Sequence, residues 1–292
     1  MADMLLLDGK AAAKAVRADL ARRVAALADR DVKPGLRILQ VGNDPASSIY
    51  VASKARASAK IGVDARVESL ADSADFAAVT EVIGAWNRDP KVHGFIIQLP
   101  LPSGIDEHAV LELVVPSKDV DGLSPASLGA LASGRPGFTP ATPSGIIELL
   151  LRNDIAVSGK RAVIVGRGEL VGRPLASMLL LKGERGDATV TICHSRTKDL
   201  GAVCRTAEIL VVAAGRARLV TGDMVSEGVV VVDAGTNNVD GRLVGDVDFE
   251  SVAPKASAIT PVPGGVGPMT VAMLLANTVR AAELASGVVS RG

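Results

Sequence analysis

Apolar positions along this chain alternate between two rhythms. Compact apolar runs at 36–41, 92–99, 162–165, 189–194, 209–214 and 229–234 include many β-branched residues and end at Gly, Pro or charged turns. Such runs predict strands, the most apolar of them buried on both faces. Between them, Ala- and Leu-rich stretches with interspersed charges predict helices over 9–30, 46–60, 74–87, 174–182 and 270–285. Shorter helices are expected over 106–114 and from Thr142 or Ser144 to about 153. A strand at 64–70, a hairpin at 238–244 and a strand at 258–260 complete the pattern. Strands alternating with helices mean βαβ units and a mostly parallel sheet.

The alternation is interrupted at 134–143, where G-R-P-G-F-T-P-A-T-P is dense in Pro and Gly. Such a stretch suits a domain junction, so the chain is expected to form two α/β domains, 1–138 and 139–292. No internal repeat is visible.

Composition narrows the class. Aromatic residues are only 2% of the 292, so the interior must be built from Ala, Val, Leu and Ile. Lys plus Arg and Asp plus Glu are both 32, and no basic domain points to nucleic acid. The two cysteines, Cys193 and Cys204, lack metal-ligand spacing, which fits a reducing cytosol, and Cys193 is expected to pack in a buried strand. Residues 1–10 have no basic segment before their brief apolar run, unlike a signal peptide. No apolar stretch is long enough to span a bilayer. The expectation is a cytoplasmic protein.

Candidate chemistry begins at 161–174, R-A-V-I-V-G-R-G-E-L-V-G-R-P. A buried strand runs into Gly166, Gly168 and Gly172, and a helix follows. Glycines at such a turn let the backbone approach a ligand, and the helix N-terminus suits a pyrophosphate. The spacing is GxGxxxG rather than GxGxxG, and a βα turn without a ligand is the alternative. At the end of the next strand stand His194, Ser195, Arg196 and Thr197, with no carboxylate before Asp199. An NAD site usually places Asp or Glu there to hold the ribose 2′-hydroxyl, whereas Ser195, Arg196 and Arg173 suit a 2′-phosphate, so NADP is favoured.

Three further constellations lie in the first half. Tyr50 and Lys54 are four apart on a predicted helix, so phenol and amine share a face. Burial would lower the ammonium pKa and make an acid/base pair; a solvated lysine beside a packed tyrosine is the alternative. Tyr50 is the only tyrosine, and its ring could stack on a flat ligand. Gln98, at the end of the 92–99 strand, could orient a carbonyl or that lysine, or simply terminate the strand. In K-D-V-D-G at 118–122, one carboxylate could grip the amidine edge of a heterocycle, or the segment could be an Asx turn. YxxxK beside a glycine-rich turn also suggests short-chain dehydrogenases, but there the glycine motif comes first. His93 and His108 read as structural or solvated, and no metal site is visible.

Taken together, these pieces resemble the bifunctional methylenetetrahydrofolate dehydrogenase/cyclohydrolase family over essentially the whole chain. The likeness is carried by L-D-G-K at 7–10, V-G-N-D-P-A-S at 41–47, Y-V-A-S-K at 50–54, Q-L-P-L-P at 98–102 and K-D-V-D-G-L at 118–123. T-P-S-G at 142–145, G-R-G-E-L-V-G-R-P at 166–174, V-G-D-V at 244–247 and P-G-G-V-G-P-M-T at 263–270 continue it. The resemblance implies an N-terminal folate-binding catalytic domain and a Rossmann-type NADP-binding domain, with the active-site cleft between them. It also implies a last helix, 270–286, returning to the first domain, and a homodimer. Methylenetetrahydrofolate would be oxidised with NADP and the methenyl product hydrolysed to 10-formyltetrahydrofolate. In that scheme Lys54 is the acid/base group, Gln98 tunes it, Tyr50 packs on the folate rings and Asp121 holds the pterin edge. Gly166, Arg167, Gly168, Arg173, Ser195 and the segment around Thr236 would hold the dinucleotide. The chain departs from the family pattern at Leu123-Ser124, at Ala141 and at Thr236, which stands where an apolar residue is usual. A monofunctional dehydrogenase and a non-catalytic dinucleotide-binding regulator are the alternatives.

Overall fold

The structure is a computed structural model that describes residues 4–289. Of residues 1–10, compared above with a signal peptide, 1–3 lie outside the described residues. The chain folds into two compact units that interleave along it. One takes in the N-terminal segment through Lys14 together with Thr142–Thr270; the other takes in Ala15–Ala141 and the C-terminal segment from Val271.

In chain order, β1 (Leu5–Leu6) leads into α1 (Gly9–Ala28), whose first amides bond to the Asp8 carboxylate. Strand β2 (Gly35–Val41) is buried along its whole length; its two polar residues are satisfied there, Arg37 donating to Leu36 O and Asp64 O and Gln40 to Ser48 Oγ. Helix α2 (Pro45–Lys60) is started by Asp44, whose carboxylate accepts from Ser47 N at 2.7 Å. After β3 (Asp64–Leu70), α3 (Phe76–Arg88) is capped by Asp75 and buries Val79, Ile83 and Trp86, a four-three spacing that makes one apolar stripe. Strand β4 (Gly94–Ile97), α4 (Glu107–Glu112) and α5 (Pro125–Ala132) follow. The three strands form a parallel sheet in the order β3-β2-β4. Its core joins Leu39, Ile83, Phe95, Ile97 and Val110, with Trp86 and Phe95 meeting edge-on at 5.4 Å. Such ring pairs add about 0.5–1.5 kcal/mol beyond their buried area.

Helix α6 (Ala141–Leu151) precedes β5 (Arg161–Val165), α7 (Gly172–Leu179), β6 (Thr189–Cys193), α8 (Leu200–Cys204), β7 (Ile209–Val212) and β8 (Val229–Asp233). A hairpin of β9 (Asn237–Val239) and β10 (Arg242–Val244), then α9 (Phe249–Val252), β11 (Ala256–Ile259) and α10 (Val266–Ala285), complete the chain. Six strands form one parallel sheet, β1-β11-β8-β7-β5-β6. From β5 onward the order is 2-1-3-4-5, so the chain reverses direction between β5 and β7, the switch point where ligands bind in open α/β sheets.

The hydrophobic pattern does not predict β1, α5, α8 or α9. It also starts α6 and α10 too late, because both begin inside Pro/Gly-rich stretches. Cys193 is buried as expected, but β6 itself is an edge strand with mostly exposed side chains. Among the described residues, no helix is long and apolar enough to cross a membrane.

Candidate active site and nucleotide crevice

In the three-stranded unit, Lys54 lies on α2 one turn beyond Tyr50, and Gln98 directly follows β4. Lys54 Nζ donates to Gln98 Oε1 at 3.1 Å. Gln98 Nε2 donates to Leu99 O at 2.7 Å, which leaves the carboxamide oxygen as the atom facing the amine. Asp121 completes the electrostatic group. Burial pushes the Lys54 pKa below its ordinary value, and the Asp121 charge opposes that shift. Burial pushes the Asp121 carboxyl up, Lys54 pulls it down and Asp119 adds to the rise. An amine held partly desolvated against a neutral carboxamide gives up its proton more readily than a solvated lysine, as an acid/base group must. Tyr50, one helical turn before Lys54, is 45% exposed.

Sequence reasoning missed the groups that hold Asp121 in place. The buried Asp119 carboxylate accepts from Gly122 N (2.9 Å), Leu123 N (3.3 Å) and Ser124 N (2.8 Å). Asn277 on α10 donates to Val120 O (2.9 Å) and Thr139 O (3.0 Å). The Asx-turn alternative for K-D-V-D-G holds in part: Asp119 shapes the turn, and Asp121 is presented by it. His93 is structural, accepting from Gly35 N at 3.0 Å.

In the six-stranded unit, the ends of β6, β5, β7 and β8 lie side by side. Gly166 N donates to Cys193 O (2.9 Å), Ala213 N to Val165 O (2.8 Å) and Ala234 N to Val212 O (2.8 Å). Gly166 has φ +121°, and a Cβ there would overlap the Ala213 carbonyl oxygen. At Gly168 a Cβ would meet nothing within 4 Å. A Cβ on Gly172 would likewise overlap the Gly166 carbonyl oxygen, so two glycines of the turn are required by the fold and Gly168 leaves a cradle open. No side chain caps α7, whose N-terminus opens from this loop, and Arg173 N there already donates to Gly168 O at 3.1 Å. Arg167 and Arg173 are exposed. Arg173 pairs with Glu169 at 3.0 Å, with side chains 61% and 52% exposed, a contact worth little in water. Arg173 thus sits beside the glycine turn, on a different element from Ser195 and Arg196.

Ser195 and Arg196 are exposed at the tip of β6, in a turn closed by Thr197 N to His194 O (2.8 Å) and His194 N to Thr197 Oγ1 (2.9 Å). The nearby carboxylate in sequence, Asp199, accepts from Ala202 N at 3.0 Å and caps α8. Thr236 is exposed just beyond β8. These residues fit a dinucleotide: an open glycine cradle, an uncapped helix start and a strand tip with hydroxyl and guanidinium groups.

A surface cavity of about 620 Å³ opens at the opposite end of the strands, lined by residues such as Lys160, Arg161, Glu208 and Val229. There Glu208 pairs with Lys160 at 3.2 Å and Arg161 at 3.4 Å, so its charges are matched internally. Among the described residues, no group of three or more His, Cys, Asp or Glu could hold a metal ion.

A dinucleotide-type parallel sheet and a second α/β unit bearing a perturbed lysine define a two-unit nucleotide-dependent enzyme. The chain belongs to the tetrahydrofolate dehydrogenase/cyclohydrolase family: its catalytic-domain model matches residues 7–121 and its NAD(P)-binding-domain model residues 140–286. A relative from Desulfovibrio desulfuricans, "Bifunctional protein FolD", is 51% identical over 95% of this chain and 98% of its own length. The bifunctional FolD dehydrogenase/cyclohydrolase of Campylobacter jejuni superposes with a TM-score of 0.93 at 46% identity, covering 96% of this chain and 99% of that one. The Trypanosoma brucei dehydrogenase-cyclohydrolase, solved with NADP cofactor and an inhibitor, gives 0.91 at 37% identity over 99% and 100%.

Proposed function

We propose that this chain oxidises 5,10-methylenetetrahydrofolate to the 5,10-methenyl cation with NADP and then hydrolyses that cation to 10-formyltetrahydrofolate. The observation that carries this reading is the Lys54–Gln98 hydrogen bond, made by a desolvated amine in a chain of this family. Bound NADP would accept the hydride and its electron pair from the methylene bridge. In the second step water adds to the methenyl carbon, a proton leaves that water, and one C–N bond breaks as its nitrogen is protonated. Lys54 is placed to move these protons. Gln98 holds the amine at a fixed position without adding charge. Asp121 can accept two N–H bonds from the pterin edge, and Tyr50 offers a ring to stack on it.

The division of labour follows the two units: Ala15–Ala141 with the C-terminal segment from Val271 carry the folate chemistry, and Thr142–Thr270 with the N-terminal segment through Lys14 carry the cofactor. NADP is preferred because the β6 tip presents Ser195 and Arg196, while Asp199 is committed to capping. Gly166, Arg167 and Gly168 would cradle the pyrophosphate, Arg173 would add charge beside it, and Thr236 would meet the cofactor beyond β8. The family resemblance also supports a cytoplasmic location and a homodimer, the latter tested by light scattering of the purified protein.

Lys54→Ala is expected to abolish ring opening while the protein still folds and binds NADP. Retention of the full ring-opening rate would remove Lys54 from the mechanism.

A further inference from the structure

Two buried aspartates beside the nucleotide crevice have no part in the chemistry above. Asp246, fully buried, follows the β9–β10 hairpin. Its Oδ2 accepts from Ala214 N at 2.6 Å and Gly215 N at 2.8 Å, the loop leaving β7. Its Oδ1 accepts from Asn237 Nδ2 at 2.8 Å, in the segment leaving β8. Asp233, at the end of β8, answers it. Asp233 Oδ1 accepts from Asp246 N (3.0 Å) and Gly235 N (2.9 Å), and Oδ2 from Val247 N (2.9 Å).

The packing is reciprocal. A Cβ on Gly235, two residues past Asp233, would overlap the Asp246 carboxylate, and a Cβ on Gly245, just before Asp246, would overlap Asp233 Oδ2. Each aspartate occupies space left open by a glycine in the other's segment. These bonds to both carboxylates come from backbone N–H groups and one carboxamide, so the arrangement spends charge burial on fixing loop geometry. The tied segments are the strand ends that face the ligand in a parallel sheet. With their N–H groups turned to Asp246, Ala214 and Gly215 have only carbonyl oxygens to offer, which suits ribose hydroxyl or amide donors rather than phosphate.

We propose that Asp246 is a positioning residue for the dinucleotide: locked reciprocally with Asp233, it holds the loops after β7 and β8 in the one arrangement that binds the cofactor. This rests on the reading that the crevice takes NADP. The lock sets cofactor affinity, not the rate of the chemical step.

The test pairs hydrogen exchange on the cofactor-free protein with calorimetric NADP titration and steady-state kinetics. Asp246→Asn keeps the shape but turns an NH2 group toward one set of donors. Exchange at the Ala214 and Gly215 amides should accelerate about tenfold, and the NADP Kd should rise about tenfold. At saturating substrate and cofactor, kcat should stay within about twofold of wild type. The exchanged pair Asp246→Asn with Asn237→Asp restores donor and acceptor across that contact and should recover most of the affinity. Should Asp246→Asn not fold, Asn237→Ala removes the Oδ1 tie alone and should raise Kd by about threefold. Unchanged amide exchange together with unchanged Kd in the folded variant overturns the proposal, as does a fall in kcat at constant Kd. Wild-type protein that fails to bind NADP would instead sink the cofactor reading, while the exchange measurement still judges the lock.

Discussion

Gln98→Glu tests how the lysine is tuned. The substitution keeps the size of the side chain and replaces a neutral acceptor, 3.1 Å from Lys54 Nζ, with a charged one. A hydrogen bond to a charged partner contributes about 1.5–3 kcal/mol, and each ~1.4 kcal/mol is a factor of ten between ammonium and amine. The protonated lysine should therefore gain on the order of tenfold to a hundredfold over the neutral form. Ring opening that draws on the neutral amine should fall by that factor at neutral pH and recover as the pH is raised. The decay of methenyl-folate absorbance measures this step, and NADPH appearance measures the dehydrogenase separately. A variant that opens the ring at the wild-type rate at neutral pH, or whose loss is the same at every pH, refutes the tuning argument.

Two other predictions concern the six-stranded unit. Gly166→Ala should destabilise the fold by about 1–3 kcal/mol, because its Cβ overlaps the Ala213 carbonyl. Gly168→Ala projects into open space; it should change stability by less than about 0.5 kcal/mol yet weaken NADP binding, and thermal melts with calorimetry separate the two. Burial raises the Asp233 pKa from 3.8 to about 6, against the pull of its backbone hydrogen bonds. Below the lower value both states are protonated; between the two the folded protein keeps a proton that the unfolded chain has lost. Stability from this group therefore falls as pH rises from about 4 to about 6, by about 3 kcal/mol in all. Denaturant titrations of wild type and Asp233→Asn across that range should show this slope in the wild type alone.

The elements legible in the sequence were those whose burial is written locally. β7 is apolar and buried throughout, β2 is apolar at most positions and buried at all of them, and the glycine turn after β5 needs only its neighbours to be recognised. β1 was not legible because two leucines become a strand only by pairing with Ala258 and Ile259, some 250 residues away. The contact between Lys54 and Gln98 was open to inference from helix spacing and strand ends. Asp233 and Asp246 were not, and Asp119 only as an Asx-turn alternative, since their work is to accept backbone N–H groups in turns. Their spacing alone does not distinguish that work from solvated charge.

The central claim is a two-step conversion in one chain. It is tested most directly by supplying 5,10-methylenetetrahydrofolate with NADP, and separately with NAD, while following NADPH or NADH and methenyl-folate absorbance together. The account predicts reduced cofactor appearing faster with NADP and little accumulation of the methenyl species. No reduction with either nucleotide, or methenyl-folate building up in step with NADPH, would contradict it.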